Sequence, residues 1–284
     1  MKRSRGFTLV ELVVTIALST IVVSFMAVFI SGPIAAYNDQ NRRAELVDLA
    51  DNSLRRIARD VRRALPNSTR VRTNGSVVVL EILTTVDGAR YRDRVPGNQA
   101  QRLRFNNADD SFNTVGAFAN IAKPFSSTSH YLAIYNVGVP GADAYELLNV
   151  ITPAGTQIDI DTDTVAGEDR VELSPAFRFG FESPAKRVFL VDSPVSYLCD
   201  TAARTLTRFS GYTISSSHAA RDSAAELAGA GATSTLIATD LASCSFAYAP
   251  GTSQRAGLLT ASMAVSEAGE TVSLLHQVHV DNVP

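Results

Sequence analysis

Tryptophan is absent from this 284-residue chain, methionine occurs three times, cysteine twice, and aromatic residues make up only 7%. A core built without indole rings must lean on Val, Leu, Ile and Phe, which is a β-leaning set outside the N-terminal region. Neither sign of charge is in large excess, with 26 Lys and Arg against 28 Asp and Glu. That balance gives no general reason to expect nucleic acid as a partner. Gly-x-Ser-x-Gly, Walker-type and Cys-x-x-Cys motifs are missing as well. Nothing therefore points to nucleophilic or nucleotide chemistry, and no enzyme is expected. The length allows one large domain or two small ones.

Charge is also missing from one long stretch. Residues 12–30 contain none, and residues 7–30 are apolar but for Glu11 and scattered Thr and Ser. Such a run is long enough to cross a hydrocarbon core of about 30 Å as a helix. Lys2, Arg3 and Arg5 precede it and should hold its start on the cytoplasmic side, sending the remainder outward. A secretory signal peptide would need a small-x-small site after the apolar stretch, and Ser31-Gly32-Pro33 is a poor one. The chain instead offers a short basic leader ending in Gly6, followed by Phe7-Thr8-Leu9-Val10-Glu11-Leu12, so that cleavage would fall before the apolar run. Removing the leader's three cations leaves 23 basic against 28 acidic side chains, a mildly acidic product.

Glu11 is the residue that needs explaining. A carboxylate in a membrane helix costs on the order of 3 kcal/mol and calls for a partner. Cleavage after Gly6 would create a new α-amino group on Phe7 at similar depth. Glu11 of a neighbouring copy could neutralise it, and that pairing would set the axial register of adjacent helices.

These residues resemble the processing signal of the type IV prepilin and type II pseudopilin family, in which a basic leader and Gly precede Phe, Thr, Leu, an apolar residue and Glu. The resemblance implies that Gly6 precedes the cut, that Phe7 becomes an N-methylated terminus, and that Glu11 is the assembly carboxylate. It implies prepilin peptidase, other pilin subunits and an inner-membrane assembly platform as partners. The location it implies is an inner-membrane single span with a periplasmic head, moving to the pilus surface after assembly. The sharp match covers only residues 1–30.

Beyond Gly32-Pro33, where a kink is expected, helical periodicity resumes. Val47, Ala50, Leu54, Ile57, Val61 and Leu65 recur at spacings of three and four, flanked by Leu46 and Ala58. Asp51 with Arg55, and Arg56 with Asp60, are opposite charges four residues apart. Pro66-Asn67-Ser68 should end the helix. Unbroken over residues 7–65, it would be about 88 Å long.

After Pro66 short apolar runs alternate with turn residues. Strands are predicted at 76–84, 131–135, 157–160, 170–173, 187–198, 204–212, 242–248, 258–265 and 271–280. Residues 106–120 and 215–235 read as long loops or short helices. The expected fold is α+β: a leader at 1–6, a transmembrane assembly helix at 7–30, its amphipathic continuation at 31–65, and a β-rich head at 66–284. Cys199 and Cys244 lie in strand-like surroundings and, beyond an exporting span, are expected to pair.

Residues 64–68, Val195-Ser196-Tyr197-Leu198-Cys199, Leu206-Thr207-Arg208, Cys244-Ser245-Phe246 and the ending 276–284 are similar to the O-type minor pilins of mannose-sensitive haemagglutinin pili. Arg59-Asp60-Val61-Arg62-Arg63 is also similar to the J-type pseudopilins of type II secretion. Asp159-x-Asp161-x-Asp163 resembles the opening of a calcium loop, but Thr164 stands where Gly is wanted and Arg170 where a bidentate Glu is wanted. A solvated edge is the expectation, with Ca²⁺ left open because some pseudopilin heads bind it. His276 and His279, three apart in a strand, should point to opposite faces, which argues against a zinc pair. His130 and His218 are isolated in the sequence. No metal site and no cofactor are predicted.

Overall fold

The computed structural model describes residue 6 and residues 8–94, 101–252 and 255–283. Two compact units divide the chain at Met1–Asp48 and Leu49–Pro284. One helix, α1 (Leu9–Arg62), supplies most of the first unit and the start of the second.

In the first unit, the 18-residue window Leu9–Met26 has a mean hydropathy of 2.3, and none of it is buried. A helix that is apolar on every side cannot bury itself, so its length and composition suit a lipid surround. Three of the hydroxyls along it are satisfied internally: Thr15, Thr20 and Ser24 donate to the carbonyls of Leu12, Ile16 and Thr20 at 2.9, 2.8 and 2.8 Å. Internal satisfaction of this kind is what a hydrocarbon environment demands. Helical assignment continues through Gly32 and Pro33. Val47, placed in the predicted apolar stripe, is exposed.

The second unit begins with the amphipathic end of α1. Ala50, Leu54, Ile57, Ala58 and Val61 are buried, each larger side chain contributing roughly 1.5–3 kcal/mol. The helix stops at Arg62, three residues before the predicted end. There the backbone is captured by a strand: Leu65 N–H donates to the Leu83 carbonyl at 2.7 Å, and Thr85 N–H to the Arg63 carbonyl at 2.8 Å. Ladder bonds to a neighbouring strand outcompete one more helical turn just ahead of Pro66.

Thirteen strands follow in the described residues: β1 (Arg70–Asn74), β2 (Val77–Tyr91), β3 (Asp109–Val115), β4 (Phe125–Ser127), β5 (Tyr131–Ala133), β6 (Gln157–Thr162), β7 (Glu168–Phe177), β8 (Arg187–Asp200), β9 (Thr205–Ser210), β10 (Thr233–Ala238), β11 (Leu241–Ala249), β12 (Gly257–Glu267) and β13 (Glu270–Val280). Ten form one antiparallel sheet in the order β10-β9-β8-β2-β3-β7-β6-β4, with β1 on β2 and β5 on β8. The last three form a second sheet, β11-β12-β13. The arrangement is α+β and pilin-like: an apolar N-terminal helix, its helical continuation and a large β-rich head.

All nine predicted strands are present, and β1, β3, β4 and β10 were not foreseen. Two of these fall in the segments read as loops or short helices. Asp109–Val115 is β3, and residues 215–235 hold a 3₁₀ turn (His218–Arg221), a short helix, α2 (Ala224–Gly229), and the start of β10. Asp, Asn and Thr in β3 mask its strand character, because Asp109, Asn113 and Thr114 are buried with polar partners or packing supplied by distant segments. The β1–β2 hairpin closes through Gly75-Ser76, with Asn74 opposite Val77 and Gly75 at a φ of +59°, as two-residue hairpins require.

The long pair β2–β8 is the spine of the head, in register from Val77 opposite Asp200 to Arg90 opposite Arg187. Residues 79–83 are buried without interruption, which means both faces are covered. On one face Tyr197, opposite Leu80, donates its hydroxyl to Asp60 of α1 at 2.8 Å. On the other, Val79 joins Leu198, Phe209, Tyr212 and Leu227 of α2. A larger cluster around Phe112, Ile158, Ile160, Val171, Phe179 and Leu190 fills the β3–β7–β6 end.

Candidate functional site

The N-terminal site is built from the start of α1. Gly6 is exposed and outside the helix; Phe7 and the leader cations Lys2, Arg3 and Arg5 lie outside the described residues. Thr8 occupies the N-cap: its Oγ1 accepts the Glu11 N–H at 3.3 Å, and its carbonyl accepts the Leu12 N–H at 3.1 Å. Thr8 and Glu11 thus have the spacing of a capping box, and an acid in the first turn suits the positive end of the helix dipole. This cap is legible in the sequence as Thr-x-x-Glu, a second role for Glu11 beside the assembly role that the family resemblance implies. The Glu11 side chain is exposed, and no described cation pairs with it. Its carboxylate is therefore presented outward from the first helical turn, available to a second molecule.

The head holds a second constellation. Glu81 on β2 is fully buried and receives Arg70 of β1 at 2.6 Å and the Tyr212 hydroxyl at 2.8 Å. Arg70 also stacks over the Tyr145 ring at 3.5 Å and donates to the Ser215 and Ser216 carbonyls. Burial pushes the Glu81 carboxyl up, with Arg70 opposing, and raises the Tyr145 and Tyr212 phenols. His218 Nε2 sits 3.7 Å from Glu81 but has no hydrogen-bond partner among the described residues. Burial and the nearby Arg70 and Arg72 hold that imidazole down at about 4. Arg70 and Glu81 together fix Tyr212, Ser215 and Ser216 against β1 and β2, so the cluster reads as internal cement.

Cys199 on β8 and Cys244 on β11 are joined as a disulfide, with their Cα atoms 6.5 Å apart. The bond links the two sheets across a separation of 45 residues. Asp60 corrects one expectation: it pairs with Arg208 of β9 at 2.8 Å and with Tyr197, leaving Arg56 without it. The helix acid is drawn to the sheet because a half-buried guanidinium and phenol offer it more than an exposed neighbour on its own helix. Arg55 and Asp51 do pair, at 2.6 Å.

Asp159 and Asp161 stand on β6 and Asp163 just beyond it. Asp163 accepts the Val165 N–H at 2.8 Å and the Thr164 hydroxyl at 3.2 Å, while Asp159 accepts the Gln157 amide. Among the described residues no group of three or more His, Cys, Asp or Glu side chains is arranged to hold a metal. His276 and His279 lie on β13, three residues apart and so on opposite faces. His130 contacts Ser127 through Nδ1 at 2.7 Å and lies 4.0 Å from Asp192 through Nε2. Ser127 Oγ already accepts the Ser129 N–H, so the three form a loop clasp, with the imidazole reversed relative to a hydrolytic triad.

No curated protein and no solved structure matches this chain. Residues 1–27 match the family described as the prokaryotic N-terminal methylation motif. The match spans the basic leader, Gly6, Phe7 and Glu11, and it is the signal of type IV prepilin-like proteins, structural subunits that are processed in a membrane and assemble with other pilins.

Proposed function

We propose that this chain is a minor pilin of a type IV pilus of the mannose-sensitive haemagglutinin type, incorporated into the filament or priming its assembly. Prepilin peptidase cuts after Gly6, Phe7 becomes the N-methylated terminus, and Glu11 meets the Phe7 amine of an adjacent subunit. Before assembly the chain sits in the inner membrane with its head in the periplasm; afterwards it lies on the pilus. The observation that carries the reading is the motif at residues 1–27 together with an outward-facing Glu11 at the head of an apolar helix. Lipid makes that carboxylate costly unless an opposite charge joins it.

The Arg59–Arg63 similarity to J-type pseudopilins favours a second reading, a subunit of a type II secretion pseudopilus. Within that stretch Asp60 is engaged by Tyr197 and Arg208 and Val61 is buried. Both serve helix-to-sheet docking, so neither residue discriminates between the two assemblies. Recovery of the chain in sheared pili would favour the first.

N-terminal mass spectrometry of the protein recovered from membranes and sheared pili tests the proposal. A chain beginning at a methylated Phe7 is the expected product. A chain that keeps residues 1–6, or one cut downstream of the apolar run, overturns it.

A further inference from the structure

The ten-stranded sheet ends differently on its two sides, and we propose that these ends bind each other between copies of this chain, β10 of one copy adding to the β4/β6 end of the next. The inference rests on the sheet ends alone and goes beyond the pilin reading.

At one end β10, Thr-Ser-Thr-Leu-Ile-Ala, pairs only with β9 among the described residues. Its first four residues are exposed, Leu236 at 58%. It carries no charge and no Pro, the devices by which proteins blunt a free edge, so its outer row of backbone groups is open to another strand. Between β10 and α1 runs a groove of about 340 Å³ lined by Leu49, Asn52, Arg56, Arg59, Leu236 and Ile237. No ion-pair partner is seen for Arg56 or Arg59 among the described residues, since Asp60 is held by Tyr197 and Arg208.

At the opposite end β4 covers only residues 158–160 of β6. Asp161 and Thr162 therefore have a strand on one side, Arg170 and Asp169 of β7, and none on the other among the described residues. A trough of about 400 Å³ lies there, lined among others by Phe125, Asp159, Asp161 and Thr162 and by the mutually paired Arg170 and Glu172. Neither Asp159 nor Asp161 is ion-paired among the described residues; Arg170 turns to Glu172 and Ser111. One end thus offers an uncharged free strand beside two cations, and the other a free strand segment beside two anions and an aromatic ring. Strand addition supplies the backbone bonds, and the charges fix which ends meet. A contact between different surfaces of identical chains joins copies head to tail, in a ring where the rotation closes and in an open series where it does not.

Sedimentation of the full-length chain in detergent micelles at low salt, with charge-reversed variants, tests this. Wild type should associate with rising concentration and dissociate with added salt. Arg56→Glu with Arg59→Glu gives a chain acidic at both ends, and Asp159→Arg with Asp161→Arg gives one basic at both ends. Each alone should self-associate about tenfold or more weakly. An equal mixture should recover association, because each altered end then finds its complement, a result that misfolded variants could not produce. Wild type that stays monomeric, variants that associate like wild type, or a mixture that stays dissociated overturns the proposal. None of these outcomes bears on the N-terminal mass, so failure here and failure of the pilin reading are separable.

Discussion

Two stretches of α1 are made from the same residue types and meet opposite fates. Leu12, Ile16 and Val22 are 53%, 59% and 50% exposed, whereas Leu54, Ile57 and Val61 are 3%, 1% and 0% exposed. Apolar character alone does not bury a side chain; its arrangement around the helix does. Where apolar residues cover the whole circumference, no single protein face can cover them, and lipid or neighbouring helices must. Where they form one stripe with arginines and aspartates opposite, a sheet can take the stripe and leave the charges in water. The first stretch carries a function that is spelled out locally; the second is scaffolding that depends on residues a hundred or more positions away.

That contrast can be broken in four ways. The largest effect is expected from Gly6→Ala, which adds a methyl where no atom of the described residues lies within 4 Å. The unprocessed precursor should accumulate in the inner membrane, visible as a heavier band; a normal mature band would show that the local signal is not read as proposed. Replacing Cys199 and Cys244 together by Ala should leave membrane insertion intact and lower the stability of the head by about 4 kcal/mol in urea unfolding, the loop-closure value for a separation of this size. Leu54→Ala should cost the head about 3 kcal/mol. Val22→Ala, the same kind of truncation in the exposed stretch, should shift head unfolding by less than about 0.5 kcal/mol. Equal effects of the two truncations would erase the distinction.

An effect of pH falls between those two truncations in size. His218, held at about 4 by burial and by Arg70 and Arg72, against the opposing charges of Asp222 and of Glu81 already paired with Arg70, is neutral in the folded head. The unfolded chain binds its proton nearer pH 6.5. Stability from this group is therefore complete above about pH 6.5 and falls as the pH drops toward 4, by about 2 kcal/mol after allowance for solvent screening. His218→Gln should flatten that part of a stability–pH curve; an unchanged slope would assign it to other groups.

Glu81 shows why part of the head could not be read in advance. An isolated Glu in an apolar run gives no sign that it will be fully buried, since its partners Arg70, Tyr212 and His218 come from three separate segments. Likewise β3 reads as loop in the sequence because residues 106–120 are rich in Asn, Asp, Ala, Gly and Ser. In the fold Arg104 meets Asp109, Asn113 donates to Glu168, and Arg92 pairs with Glu168, so those polar side chains become the means of fastening residues 92–94 and 101–104. The nine strands that were legible are the ones whose Val, Ile, Leu and Tyr content is high enough to survive without knowledge of partners.

What the sequence by itself determined is the N-terminal chemistry: a basic leader, Gly6 and Phe7, a carboxylate at Glu11 and an uncharged run long enough for lipid. All of these are matters of spacing within about thirty residues, and the solvent they address is the membrane. The tertiary structure alone decided where α1 stops, that Asp60 serves β9 instead of its own helix, and which ends of the large sheet stay open. Those outcomes depend on competition between backbone and side-chain partners far apart in the chain, and local pattern cannot rank such partners before they meet.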